Sequence, residues 1–438
     1  MKSLKICLIS LGCEKNLVDS EIILGMFNKF GYIITPYKNK ADVIVINTCG
    51  FIEDAKKEAI DTIIDCLDYQ KNGTKIIAVG CLVQRYYDDL IKEIPEVDLY
   101  VRIQDYLHLG EKVEKLLKDK IVKKGMCFDP LCRLISTPKH MAYVRISEGC
   151  NNRCTYCAIP LIRGSFVSRK KEDILQEVSE LVASGHKEIC LISQDVTNYG
   201  YDLNGESLAS LLASIVQIDG NFSVRLLYLY PDEITNELLL TIKENEKIMP
   251  YFDIPLQSAS NKVLKDMHRR GSKEYVLELI KKIRAMMPDA VFRTTMIVGF
   301  PGETDSDFNE TLEFIKEAKF NHLGAFKYSP EEDTVACTMP NQVDEDTKAK
   351  RYNLLMEEQK WISYEANKSF IGRKFSVIIE GYNEENNAYF GRSYFLAPDD
   401  IDGEIYINSD CKLEISKEYL VGIYDASFYD LFGKVTSV

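Results

Sequence analysis

The chain has 438 residues, with 54 Lys and Arg against 67 Asp and Glu, a formal net charge of −13 and an apolar fraction of 46%. At about 150 residues per domain the length suits two to four domains, and the apolar content is ample for buried cores. The negative balance excludes a surface built throughout to grip nucleic acid, since phosphate contacts need a positive face. It leaves room for a local basic groove or for a basic protein partner. The opening MKSLKICLIS is too short an apolar stretch for an export signal. No apolar run approaches membrane-spanning length, so the cytoplasm is the expected compartment. There, 13 cysteines are not a disulfide framework; metal binding, redox chemistry or burial must account for them.

From residue 4 to about 120, strand-like and helix-like patterns alternate. KICLIS, ADVIVIN and TKIIAVG are Ile- and Val-rich runs, separated by helical spacing over Leu17–Phe30 and Asp54–Leu67. This predicts βαβ units and a parallel, Rossmann-like α/β sheet. Lys118–Lys139 is basic, has two prolines and lacks a period, as a linker does. From Met141 the alternation restarts with AYVRIS, EICLIS, SVRLLYL, YFDIPL, FRTTMIVG and LGAFKYS. Six strands with intervening helices predict an open (β/α)6 barrel, short of the eight units of a closed one. Asp344–Phe370 reads as a charged amphipathic helix. Beyond it, FSVIIEGY, AYFGRSYFLA, GEIYIN and YLVGIYDASFYDLFGKV predict a small all-β barrel of the five-stranded OB-like kind.

RISEGCNNRCTYCAIP carries Cys150, Cys154 and Cys157 on one loop. Three close thiolates can bind three irons of a 4Fe-4S cube and leave the fourth open. A zinc site or buried structural cysteines are the competing readings, but zinc normally wants four ligands and no second pair follows at usable spacing. The loop follows the first strand of the β/α array, at the end where barrel sites are built. With Tyr156 before the last cysteine, it closely resembles the signature of radical S-adenosylmethionine (SAM) enzymes.

Cys13, Cys49 and Cys81 each lie just past a predicted parallel strand. Ligands of open α/β sheets bind outside the carboxyl ends of the strands. The three can therefore converge on a second three-ligand cluster, although a free cysteine is often simply a small buried hydrophobe. Gly12, Gly50 and Gly80 beside them suit a backbone passing close to a bulky group.

At this point the whole chain resembles the methylthiotransferase family of radical SAM enzymes. Within it the chain is similar to the branch that modifies an aspartate of the twelfth small-subunit ribosomal protein. The segments that carry this are Ser10–Glu21 (SLGCEKNLVDSE), Ile46–Asp61, Gly80–Tyr86, Tyr328–Thr334 (YSPEEDT) and Gly391–Ile407. Two departures are Glu14, where that branch usually has Pro, and Ser258, where it often has His. The resemblance implies an N-terminal cluster domain (1–120), a linker (121–139), a radical SAM core (140–367) and a TRAM barrel (368–438). It implies two 4Fe-4S clusters and two SAM molecules. One SAM methylates a sulfur held at the first cluster. The other is split at the second, and the resulting radical takes hydrogen from the aspartate β-carbon, which then bonds to the methylthio sulfur. A flavodoxin or ferredoxin is the implied reductant; the sulfur donor is not identified. The alternatives are a tRNA adenosine methylthiotransferase of the same fold and a non-catalytic iron–sulfur module.

From Phe370 to Val438 there are six Lys and Arg against twelve Asp and Glu. An acidic barrel suits a basic ribosomal protein and argues against tRNA as the partner. Candidate SAM or substrate contacts are Tyr156, Ser193, Gln194, Asp195, Arg225, Gln257, Arg293, Gly299 and Glu303, from predicted strand ends and turns. Each reads equally well as a salt bridge, cap or turn residue. Cys7, Cys66, Cys127, Cys132, Cys190, Cys337 and Cys411 are assigned to burial or to no role, and Trp361 to packing.

Overall fold

The computed structural model describes residues 4–117, 128–399 and 401–437. Cys127 and most of the basic part of the expected linker lie outside these residues. Strands are numbered in chain order.

The first sheet has five parallel strands: β1 (Lys5–Ser10), β2 (Ile33–Ile34), β3 (Val43–Thr48), β4 (Lys75–Gly80) and β5 (Leu99–Val101), in the order β2-β1-β3-β4-β5. Helix Glu14–Lys29 covers one face through Ile23, Met26 and Phe27. Helix Glu53–Leu67 covers the other through Ala59, Ile63 and Cys66. Both faces of β3 are buried, so its first four residues, VIVI, are a continuous apolar run rather than an alternation. The order reverses between β1 and β3, and this switch point is where such sheets open a crevice.

All six strands expected for the central region are present. They are β6 (Met141–Arg145), β9 (Glu188–Ile192), β10 (Ser223–Leu226), β11 (Tyr251–Asp253), β12 (Val291–Val298) and β13 (His322–Lys327). They form two parallel three-stranded sheets, β10-β9-β6 and β11-β12-β13, joined through a parallel bridge from Val224 to Ile248. A two-stranded ribbon of β7 (Ser147–Glu148) and β8 (Val167–Ser168), not legible in the sequence, frames the cysteine loop. Helix Glu345–Lys368 begins with Asp344 accepting the Thr347 amide at 2.8 Å.

The C-terminal strands β14 (Lys374–Asn383), β15 (Ala388–Arg392), β16 (Ile405–Asn408), β17 (Glu418–Ala426) and β18 (Leu431–Ser437) close a barrel in the order β14-β15-β16-β18-β17. Its residues Arg392, Phe395, Leu396, Ala397 and Asp402 seal the N-terminal ends of the central strands. Phe395, Leu396 and Ala397 pack with Met141, Tyr143, Cys190 and Tyr251. The Phe395 carbonyl meets His322 Nε2 at 2.8 Å. Arg392 pairs with Glu188 at 2.9 Å, and Tyr251 donates to Asp402 at 2.5 Å. With that end plugged, access to the array is left at the carboxyl ends of its strands, where the cysteine loop lies.

The described part of the expected linker is anchored rather than slack. Arg133 bonds both Glu21 of the first sheet's helix and Glu177 of the central region. The Cys132 carbonyl sits where a Cβ on Gly25 would come within 2.0 Å, so that glycine is needed for the close approach.

Candidate functional site: two cysteine trios at one domain junction

Cys13 ends the loop after β1 at the N-cap position of helix Glu14–Lys29; Cys49 directly follows β3 and Cys81 directly follows β4. The register aligns Ser10 with Asn47 and Thr48 with Gly80, so the three strands end together. Asn16 ties the ends to one another by donating to the Leu11 carbonyl at 2.9 Å and the Thr48 carbonyl at 3.1 Å. Asn47 returns a bond to the Asn16 carbonyl at 2.8 Å, and the Thr48 hydroxyl bonds the Val79 carbonyl at 2.6 Å. Gly12 sits against Cys49; a Cβ there would fall 2.9 Å from its sulfur, and its φ of +88° is left-handed. Burial pushes the Cys81 thiol up to about 11, with Arg163 opposing and the nearby Cys13 and Cys49 adding to it. Burial likewise raises Cys49, and Cys13 adds to that rise. Cys13 thus lies near enough to Cys49 and Cys81 to oppose their ionisation.

Cys150, Cys154 and Cys157 lie at the other wall of the same junction and are all partly exposed. The loop is pinned on several sides. The Cys150 amide bonds the Gly164 carbonyl at 3.2 Å, and the Cys157 amide bonds the Cys154 carbonyl at 3.0 Å. Thr155 takes the Met267 carbonyl at 3.1 Å and gives its own carbonyl to Ala336 at 2.8 Å. Arg153 adopts a left-handed φ of 50°. Burial pushes the Cys157 thiol up to about 12, with Cys154 and Cys150 adding to it. Burial thus favours the protonated thiol at Cys49, Cys81, Cys150 and Cys157, and cluster binding must displace those protons.

Among the described residues no group of three His, Cys, Asp or Glu is arranged to hold a single metal ion. A cube does not need that arrangement, because each thiolate binds a different iron. Thiol-only donors, mutual proximity and a glycine cradle at Gly12 fit an iron–sulfur cluster.

The two trios adjoin. Cys81 packs with Ala158, the residue after Cys157, and with Ile162. Arg163, on the short helix Ile159–Arg163 that follows the second trio, donates to Asn16 Oδ1 at 2.6 Å and stands 3.4 Å from the Cys81 sulfur.

The other sequence candidates divide. Asp195 accepts from Asn152 of the cysteine loop at 2.7 Å and from Asn198 at 2.7 Å, while Ser193 accepts the Asp195 amide at 3.0 Å. Gln194 donates to Glu148, just ahead of Cys150, at 3.1 Å. These three are brought to the loop. Tyr156 turns its side chain into a cluster with Val263, Met267, Phe300 and Tyr328. Gln257 has a left-handed φ of 76° and bridges to Met296. Arg225 and Arg293 are placed elsewhere. Arg225 is buried between Glu188 and the Tyr394 carbonyl, and Arg293 between Asp253 and Asp402, both at the seam with the C-terminal barrel. Glu303 accepts the Gly299 amide at 2.5 Å and pairs with Arg351 at 2.8 Å, which holds the turn after β12 to the long helix.

Sequence reasoning passed over Asn16, Arg163, Arg269, Lys15 and Tyr228. Arg269 lies over the Tyr230 ring at 4.1 Å, 3.9 Å from the Cys154 sulfur. Lys15 pairs with Glu14 and sits 3.3 Å from the centroid of Tyr228, at the carboxyl end of β10. The only available signal was their nearness to cysteines or strand ends.

Residues 144–315 match the radical SAM superfamily, residues 5–102 the uncharacterized protein family UPF0004, and residues 371–436 the TRAM domain. The fold and the cysteine loop define a radical SAM transferase. The chain is 47% identical to the ribosomal protein uS12 methylthiotransferase RimO of Caldicellulosiruptor saccharolyticus, over 98% of this chain and 99% of that one. It is 47% identical to the protein of the same name from Clostridioides difficile, and 45% to that from Geobacter sulfurreducens, each over 99% of both chains. The chain belongs to the RimO family of methylthiotransferases. Among solved structures, the radical SAM methyltransferase TsrM from Kitasatospora setae, with cobalamin and a [4Fe-4S] cluster bound, shares the fold. The TM-score is 0.58 at 11% identity, over 86% of this chain and 81% of that one. Among the described residues no helix is long and apolar enough to cross a membrane.

Proposed function

We propose that this chain adds a methylthio group to the β-carbon of an aspartate of ribosomal protein uS12. It uses two SAM molecules and two 4Fe-4S clusters, held by Cys13, Cys49 and Cys81 and by Cys150, Cys154 and Cys157. The observation that supports the reading is the packing of Cys81 against Ala158, which brings a cysteine of the first trio beside the residue after Cys157. When bound, the second cluster supplies the electron that splits SAM into methionine and a deoxyadenosyl radical, and the first holds the sulfur that is methylated and transferred. The protein's part is positioning and exclusion of water. Asp195 and Asn152 set the shape of the second loop, Asn16 gathers the strand ends of the first, and Arg392, Phe395 and Asp402 of the barrel close the far end of the array. The domain plan that suits this chemistry is 1–120, 140–367 and 368–438, with 121–139 connecting the first two.

The surface of the barrel supports a basic protein as partner. Of its exposed cations, Arg373, Lys417 and Lys434 pair with Asp289, Glu414 and Asp410, while Lys374 and Lys412 stand exposed among a larger number of acids. Glu384, Glu385, Glu418 and Asp425 stand exposed as well. Such a surface repels phosphates and attracts a cationic ribosomal protein. The reductant in this scheme is a flavodoxin or ferredoxin, and the reaction runs in the cytoplasm.

Mass spectrometry of uS12 and of bulk tRNA from cells lacking the gene tests the substrate. The methylthio mass should vanish from the protein alone; its loss from tRNA with uS12 unchanged overturns the proposal. Anaerobically reconstituted, reduced protein should form deoxyadenosine from SAM, and a non-catalytic module would not.

A further inference from the structure

We propose that Arg163 is a positioning residue that couples the two cysteine sites across the domain junction, setting the charge beside the first site while it moves with the second. This rests on the two-site reading above. Arg163 leaves the helix that begins two residues after Cys157, so its backbone is carried by the second trio's loop. Its guanidinium is 2% exposed and reaches only into the N-terminal sheet domain and back to Glu148. One nitrogen meets Asp19 Oδ2 at 2.7 Å and Glu148 at 3.4 Å. The other meets Asn16 Oδ1 at 2.6 Å and the Cys81 sulfur at 3.4 Å. The contact is therefore forked. One prong holds the acid of helix Glu14–Lys29, and the other holds both a cysteine of the first trio and the asparagine that gathers its strand ends. A guanidinium can do this in one rigid plane; an ammonium cannot.

Asp19 provides an internal control. It is shared with Arg145, which bonds its other oxygen at 2.6 Å and also meets Glu148 at 2.9 Å. Removing either arginine deprives Asp19 of one partner and leaves the other, so the loss at Asp19 is alike. Only Arg163 has a contact with Asn16 or Cys81 among the bonds of these two arginines. A charged donor beside a cluster ligand stabilises the more negative, reduced form and so raises its potential.

The test compares Arg163→Gln, Arg163→Lys and Arg145→Gln in the full-length reconstituted enzyme. Redox titration followed by electron paramagnetic resonance reads each cluster, and product analysis gives the ratio of methylthio product to deoxyadenosine. Arg163→Gln should lower the potential of the Cys13, Cys49 and Cys81 cluster while leaving the other in place, and the product ratio should fall at least tenfold with SAM cleavage within twofold of wild type. Arg163→Lys, which keeps the charge but not the fork, should restore most of the potential and only part of the ratio. Arg145→Gln should leave both near wild type. If Arg163→Gln does not fold, the Lys variant decides, because a wild-type product ratio there overturns the proposal. So do equal shifts of both clusters, or equal effects of Arg163→Gln and Arg145→Gln. Loss of SAM cleavage in the wild-type protein would instead sink the two-site reading itself.

Discussion

Replacing Arg392 by Met should loosen the C-terminal barrel from the plugged end of the central array. Arg392 is 2% exposed and pairs with Glu188 at 2.9 Å and Glu380 at 2.6 Å, and it donates to the Leu396 carbonyl at 3.2 Å. Glu188 is also bonded by Arg225 at 2.5 Å. Burial favours the neutral acid at Glu188, but Arg225 and Arg392 overcome it and hold the carboxyl down to about 2, from an ordinary 4.5. By linkage that preference for the ion is worth about 3 kcal/mol at neutral pH, shared between the two guanidiniums. Arg392 accounts for roughly half of this linkage; the variant also loses the bonds to Glu380 and Leu396. The expected loss is about 3–4 kcal/mol, in the range found when one partner of a buried pair is removed. Because the folded carboxyl lies below its unfolded value, this stability is complete above about pH 4.5 and disappears as pH falls toward 2. Trp361, the single tryptophan, packs on Phe428 of the barrel with ring centroids 5.1 Å apart, so its emission reports undocking in urea. Wild type should lose stability across that acid window, and Arg392→Met should start lower and fall less. A loss under about 1 kcal/mol with an unchanged acid profile would refute the reasoning.

Gly12→Ala should empty the first site without touching the second, since its Cβ would fall 2.8 Å from Cys49 Cβ at a φ of +88°; iron should drop from about eight to about four atoms per chain with SAM cleavage kept. Cys154→Ala should abolish deoxyadenosine formation, whereas Cys49→Ala should abolish methylthio transfer alone, as measured by chromatography of the same reaction. Glu331 joins Lys56 at 3.1 Å and Arg85 at 2.8 Å, fastening the Tyr328–Thr334 loop to the first domain. Glu331→Ala should cost about 3–5 kcal/mol and speed proteolysis at that seam. Burial and then Arg392 hold His140 down to about 4, so it stays neutral when folded; stability should decline as pH falls from about 6.5 to about 4, and NMR titration of the His140 ring should show the low value.

Much of this molecule is local enough to be read along the chain. The first sheet, the six central strands and the closing barrel follow from runs of two- and 3.6-residue periodicity, and parallel strands joined by right-handed crossovers end on one side. That is why Cys13, Cys49 and Cys81 could be placed at neighbouring strand ends although they are dispersed in sequence, and why Cys150, Cys154 and Cys157 could be placed on one loop from their spacing. Side-chain partners across domain seams are not set by any local pattern. Arg163 meets Asn16 across 147 residues, and Arg225 meets the Tyr394 carbonyl across 169. In the sequence Arg163 carries no assigned role and Arg225 is a strand residue open to a cofactor role. Docking put one against Cys81 and committed the other to the seam, because a buried charge settles wherever packing offers it a counter-charge or carbonyl. The strand ends were determined by sequence; which charges guard them was decided only when the domains came together.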